Sequence, residues 1–235
     1  THMAQKRERL LAMNELRSEL RKRLNNTRRY YLGAAKTVGG ALRGFATSAR
    51  EAMNQFVTVS EESTTALLAD PDSAIMLIAD MANNDGHAAH ALSVMTLALL
   101  LGKKAELPEV SLRALAVGAL LHDIGKLSIN PAILRNSERN RHEATIYRTH
   151  CRSGYDEALR AGTVSQAMLE AILSHHERFD GSGFPDHLSG REIPLAARIV
   201  AIANRFDNLV NPVDYRHALS PSEALATMWA REKTR

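Results

Sequence analysis

Between residues 4 and 31, Met13, Leu16, Leu20 and Leu24 recur at three- and four-residue spacings among arginines and glutamates. That stripe predicts one amphipathic helix, docked on its own domain or paired with a second copy. Residues 33 to 58 also read as helix, weakened by Gly39, Gly40 and Gly44. Beyond Ser60, Asp70-Pro71, Asn130-Pro131 and Ser220-Pro221 each set a capping side chain before a proline at the first helical position. Glu223 completes a capping box after Ser220, and Ser165 and Pro194 open two further helices. Leu97 to Leu101 and Ala114 to Leu121 read as core helix. No stretch alternates apolar and polar residues as a half-buried strand does, so the fold expected is all-α, a helical bundle with an N-terminal helical extension. The one long irregular segment, Arg178 to Ile193, is dense in Gly, Asp and Pro. A loop of that length inside a compact helical domain points to function.

The chain of 235 residues, 45% hydrophobic, suffices for a full core and divides into a basic helical segment over 1–60 and a domain over 61–235. Its net charge of +4 is local, because residues 1–30 carry nine Lys/Arg against Glu8, Glu15 and Glu19. The remaining body has no basic surplus, which argues against a grip on duplex nucleic acid. The apolar runs Ala91 to Leu101 and Ala114 to Leu121 fall short of the ~20 residues that span a bilayer, so no membrane span is expected. The opening Thr1-His2-Met3 has the form of a cleavage and cloning remnant, which sets His2 aside and predicts a natural segment upstream. A single cysteine, Cys151, excludes an internal disulfide and a Cys-rich zinc site and fits a reducing cytoplasm. It reads as a small packed residue. Arginine supplies 23 of the 30 basic residues, a bias that suits a GC-rich bacterial genome.

Any metal chemistry then falls to histidines and carboxylates. His122-Asp123 precedes Ile124-Gly125, and His175-His176 precedes Glu177, both at predicted helix ends. Adjacent helical positions point about 100° apart, so such a pair reaches one site only where the helix end faces it. That geometry suits two metals side by side. Imidazoles and carboxylates favour iron, manganese, nickel or zinc without ranking them.

The ordered set His122-Asp123-Ile124-Gly125-Lys126, His150, His175-His176-Glu177-Arg178 and Asp180-Gly181-Ser182-Gly183-Phe184-Pro185 resembles the HD-GYP family, a branch of the HD phosphohydrolases, across roughly residues 83 to 210. The resemblance implies a phosphodiesterase that hydrolyses cyclic di-GMP or a related cyclic dinucleotide to the linear dinucleotide or GMP. It implies two divalent ions that activate a water for in-line attack on phosphorus. By it, His90 and His122 match ligands of one ion, Asp123 bridges both, and His150, His175 and His176 match ligands of the other. Lys126 corresponds to the cation that holds a nonbridging phosphate oxygen. Arg178, Asp180, Gly183, Phe184, Pro185 and Arg216 fall where substrate contacts are expected, and glycines in the loop would let backbone approach the substrate. Asp180 is also expected to shape its own turn. The implied partners are an upstream sensor domain, a second copy paired through the N-terminal helices, and a GGDEF-domain protein.

The match departs at four places. Phe184 keeps a ring but lacks the family tyrosine's hydroxyl. Asn204 occupies the place of the last aspartate ligand and offers an amide oxygen without charge. Asp207, one turn on, matches a second family aspartate. Gly86 stands where trinuclear members carry a glutamate, and Val213 where many place a phosphate-gripping arginine, a role left to Arg216 or Arg178. The rival readings are a degenerate module that binds nucleotide or a partner protein without turnover, and an HD hydrolase for another phosphate ester. His87, one turn before His90, reads as a supporting or solvent-facing residue; His142, His187 and His217 carry no assignment.

Overall fold

A computed structural model describes residues 2–72, 86–162, 164–212 and 215–232. The elements are α1 (His2–Gly44), α2 (Ala49–Ala69), α3 (His87–Lys104), α4 (Glu109–Leu121), α5 (Pro131–Arg135), α6 (Arg141–Ala161), α7 (Gln166–Ser174), α8 (Leu195–Val210) and α9 (Pro221–Glu232). Three short 3₁₀ turns cover Ile124–Ser128, Gly190–Glu192 and Tyr215–His217. No strand occurs among the described residues. The helix expected after Asp70-Pro71 falls largely on 73–85, which with Val213 lies outside the described residues.

The predicted break between residues 31 and 33 does not occur: α1 runs unbroken to Gly44. Each helical glycine costs up to about 1 kcal/mol, but burial of a large apolar side chain returns about 1.5 to 3 kcal/mol. Tyr31, Val38 and Phe45 are all buried here. Residue 60 falls inside α2, and Phe45, Phe56 and Leu67 share one core with Leu92, Leu99, Leu115 and Ile172. The first half of the α1 stripe, however, docks on nothing in the described chain: Leu10, Met13, Leu16 and Leu20 are exposed. No helix among the described residues is long and apolar enough to cross a membrane.

Local start signals hold where they can be tested. The Asn130 side chain accepts from the Ala132 amide at 2.9 Å. The Ser220 amide donates to Glu223 at 2.9 Å, closing the box before α9. A further box, Asn140 with Glu143, opens α6. α3 packs on α4 and α8, α4 on α7, and α6 on α7 and the Ile124–Ser128 turn. This brings one end of α4 and one end of α7 against the flanks of α3 and α6.

One glycine makes the last of these contacts possible. A Cβ on Gly125 would lie 2.0 Å from the His150 carbonyl oxygen and 2.6 Å from the Gly154 nitrogen. Only a bare Cα lets the turn carrying Asp123 and Lys126 approach the helix carrying His150 so closely.

Candidate metal centre

Two helices stop where their last carbonyls meet an imidazole. His122 caps α4 and donates from Nδ1 to the Ala119 carbonyl at 2.7 Å. His175 caps α7 and donates from Nδ1 to the Ile172 carbonyl at 2.9 Å. Those carbonyls lack an intrahelical partner at a helix end, so the side chain satisfies them. Within α6, His150 Nδ1 donates to the Tyr147 carbonyl at 2.5 Å. A proton held on Nδ1 leaves the Nε2 lone pair free, and in all three rings Nε2 faces the same space.

Asp123 stands at the centre of that space. Its Oδ2 lies 3.3 Å from His122 Nε2 and 3.5 Å from His90 Nε2. Its Oδ1 lies 3.5 Å from His150 Nε2 and 3.6 Å from His175 Nε2. Two nests result, one of His90, His122 and Asp123, the other of His150, Cys151, His175 and His176. His90 and His122 approach each other Nε2 to Nε2 at 3.3 Å. Asp123 Oδ1 and His176 Nε2 are buried without a hydrogen-bond partner. Buried acceptors such as Asp123 Oδ1 and His176 Nε2, with no proton donor beside them, are costly unless a cation supplies the missing partner, so these residues fit a pair of divalent ions.

The electrostatics agree. Burial pushes His122 and His175 down, His150 down to about 4, and His176 well below its ordinary range with the help of its neighbours His175 and His150. All four are neutral donors near pH 7. Burial opposes ionisation of Asp123, but His122 and Lys126 outweigh it and hold the carboxyl well below its usual range. Lys126 Nζ sits 2.5 Å from Asp123 Oδ2 and is pushed up by that carboxylate against its own burial.

His90 behaves differently. Its Nδ1 donates to Asp207 Oδ2 at 2.6 Å, and Ser93 donates to the other oxygen of Asp207. Burial would lower its pKa, yet hydrogen bonds to Asp123 and Asp207 push it up to about 9. A carboxylate behind a ligating imidazole fixes the ring and raises its basicity. Asp207 therefore orients His90, a role the sequence left open. Its signal was the helical spacing of Ser93 after His90 and of Asp207 after Asn204.

Of the other expected site residues, Asn204 is buried on α8, and its amide oxygen accepts from Asn208 at 2.6 Å. Phe184 stacks on His176, centroids 4.6 Å apart at 19°, with the Arg148 guanidinium 5.4 Å from its ring. Pro185 follows it through a cis peptide. Gly183 also has a packing role: a Cβ there would sit 2.4 Å from the Glu177 Cα and the Arg178 nitrogen, so its bareness seats the loop on that segment. Glu177, read as part of a solvated end or a site, is buried and accepts from the Asp186 amide at 2.7 Å. Asp180 accepts from the Ser182 amide at 2.9 Å and shapes its turn. Arg178, Asp180 and Arg216 are exposed, as are His142, His187 and His217. Tyr147, missed in the sequence, lies 5.3 Å under the Lys126 ammonium and 4.2 Å under the Arg139 guanidinium. His87, His90, Asp123 and Lys126 line a cavity of about 30 Å³, room for one water.

Comparison with known proteins points the same way. Residues 72–235 match the family model described as HD domain. The cyclic di-GMP phosphodiesterase response regulator RpfG of Xanthomonas campestris is 38% identical over 136 residues, 56% of this chain and 35% of that one. A cyclic di-GMP phosphodiesterase of Pseudomonas aeruginosa is 28% identical over 169 residues, 72% of this chain and 41% of that one. A 3'3'-cGAMP-specific phosphodiesterase of Vibrio cholerae is 35% identical over 141 residues, 59% of this chain and 32% of that one. The chain thus spans well under half the length of these relatives. Among solved structures, an HDG"Y"P protein of Bdellovibrio bacteriovorus superposes with a TM-score of 0.72 at 18% identity, covering 94% of this chain and 75% of that one, which shows a shared fold.

Proposed function

Because the chain belongs to the HD domain family, in its HD-GYP branch, we propose that it is a metal-dependent phosphodiesterase acting on cyclic di-GMP or a related cyclic dinucleotide. One observation carries the reading: a single carboxylate, Asp123, divides its two oxygens between two nests of buried imidazoles. His90, His122 and Asp123 hold one ion; Asp123, His150, His175 and His176 hold the other, in keeping with iron or manganese as with zinc or nickel. Such a pair supplies charge neutralisation at phosphorus and a water acidic enough to act near neutral pH. The buried Asn204 keeps the second lone pair of its amide oxygen for an ion, the first accepting from Asn208.

The rest falls to the chain's own groups. Lys126, anchored by Asp123 and Tyr147, turns its remaining donors to a nonbridging phosphate oxygen. Phe184 shields His176 from water with one face. Arg148, whose guanidinium lies beside Phe184, holds the second phosphate of the ring, and the exposed Arg178 and Arg216 remain the expected further substrate contacts. The exposed Leu10, Met13, Leu16 and Leu20 support pairing of α1 with a second copy, which would pass a signal from an upstream sensor.

The test is turnover. Protein loaded anaerobically with ferrous or manganous ion is incubated with cyclic di-GMP and with cyclic GMP-AMP, and products are separated by chromatography. Linear dinucleotide or GMP, absent with His122→Ala, is expected. The neutral Asn204 favours one rival, a domain that binds without turnover; tight binding with metal present and no product would establish it and sink the hydrolase.

A further inference from the structure

Cys151 is fully buried, with its sulfur 3.5 Å from His150 Nε2. That nitrogen is the ring's distal one, the atom turned toward Asp123. Sγ also lies within 4.8 Å of the ligand atoms of His175 and His176. Although the two are neighbours inside α6, the thiol and Nε2 come within hydrogen-bond distance, so the sulfur and the ring's lone pair face the same space. Two donors of one ion, at about 2.1 Å for nitrogen and 2.3 Å for sulfur, stand roughly 3.1 to 3.8 Å apart as their angle opens from 90° to 120°. His150 Nε2 keeps that separation from both Cys151 Sγ and His175 Nε2. Independently, His176 Nε2 is buried and unpartnered in the same nest.

We infer that Cys151 is a metal ligand, its thiolate joining Asp123, His150, His175 and His176 around the second ion. This rests on the two-ion reading above and extends it to a residue outside the expected set. Coordination releases the thiol proton to solvent and leaves the sulfur's electron pair on the ion; nothing is oxidised or reduced. The thiolate supplies negative charge where, among the described residues of the two nests, Asp123 is the sole carboxylate. A soft donor on one side makes the ions inequivalent: the second site prefers zinc, cobalt or ferrous ion over manganese.

Cobalt(II) reads this directly, without turnover. Two equivalents added anaerobically to the metal-free full chain are expected to produce a near-ultraviolet thiolate-to-cobalt charge-transfer band, lost entirely in Cys151→Ser. Should that variant not fold, X-ray absorption on the zinc-loaded wild type serves instead, with a sulfur shell at ~2.3 Å and about one sulfur per two ions expected. Cobalt bound at two per chain without the band, or zinc seeing only nitrogen and oxygen, overturns the inference and leaves the binuclear reading intact. Failure to take up cobalt at all overturns both.

Discussion

The two nests that share Asp123 are built on opposite principles. In the His150 nest the imidazoles are neutral because burial makes them so, and backbone carbonyls from their own helices fix His150 and His175. In the His90 nest His122 follows the same rule, but His90 is tuned from far along the chain by Asp207, which Ser93, one turn from His90, holds in place. The first is ready for a cation at any pH near neutral. The second holds a proton up to about pH 9 until a cation displaces it. A carboxylate shared by two clusters thus does not make them alike; the groups behind each imidazole set them apart.

Removing what the nests share should have the largest effect. Asp123→Asn takes away a charge worth several kcal/mol to the transition state, a loss on the order of a thousandfold in kcat/KM. Metal content should fall in both sites together, by elemental analysis; loss of one ion only would show that Asp123 does not bridge.

Acid should then separate the nests in chelator-treated protein. His150 stays neutral in the fold down to about pH 4, whereas an unfolded histidine takes its proton near 6.5. Its stabilising contribution is complete above about 6.5 and lost as the pH falls toward 4, roughly 2 kcal/mol of it by pH 5. His90, raised to about 9, works in reverse: its contribution is complete below about 6.5 and lost as the pH rises through 9. Denaturant melts at pH 5, 7 and 9.5 should therefore peak at the middle value. His90→Gln should flatten only the alkaline limb.

The smallest effect sharpens the contrast most. Asp207→Asn keeps the shape but weakens the orienting charge, and should lower affinity at the His90 site by about 10- to 100-fold while leaving the other site unchanged. Equal losses at both sites in a competition titration would mean that Asp207 supports the fold and not one ligand.

Much of this centre is written locally. A histidine directly after the last turn of a helix can satisfy a carbonyl three residues back, so His122 and His175 could be placed at helix ends from spacing alone. The caps at Asn130 and Ser220 are legible for the same reason, their partners being two or three residues away. Helical pattern misled at residues 31 to 33, where burial of Tyr31 and Val38 outweighs the glycine cost. The packing role of Gly183 was not legible because its bareness answers to Glu177 and Arg178 across a loop, a contact no propensity records.

By itself the sequence determined an all-α chain, its helix starts, and the order of five histidines and one aspartate, with His122 and His175 at helix ends, because each of these depends on neighbours within a turn or two of helix. Packing alone decided that Asp207 would reach back 117 residues to His90. It likewise decided that Cys151 would face the nest with His150, and that Gly125 would let one turn press against α6. Directions of side chains on separate helices are set only when those helices dock, and pKa values follow from which groups that docking buries together.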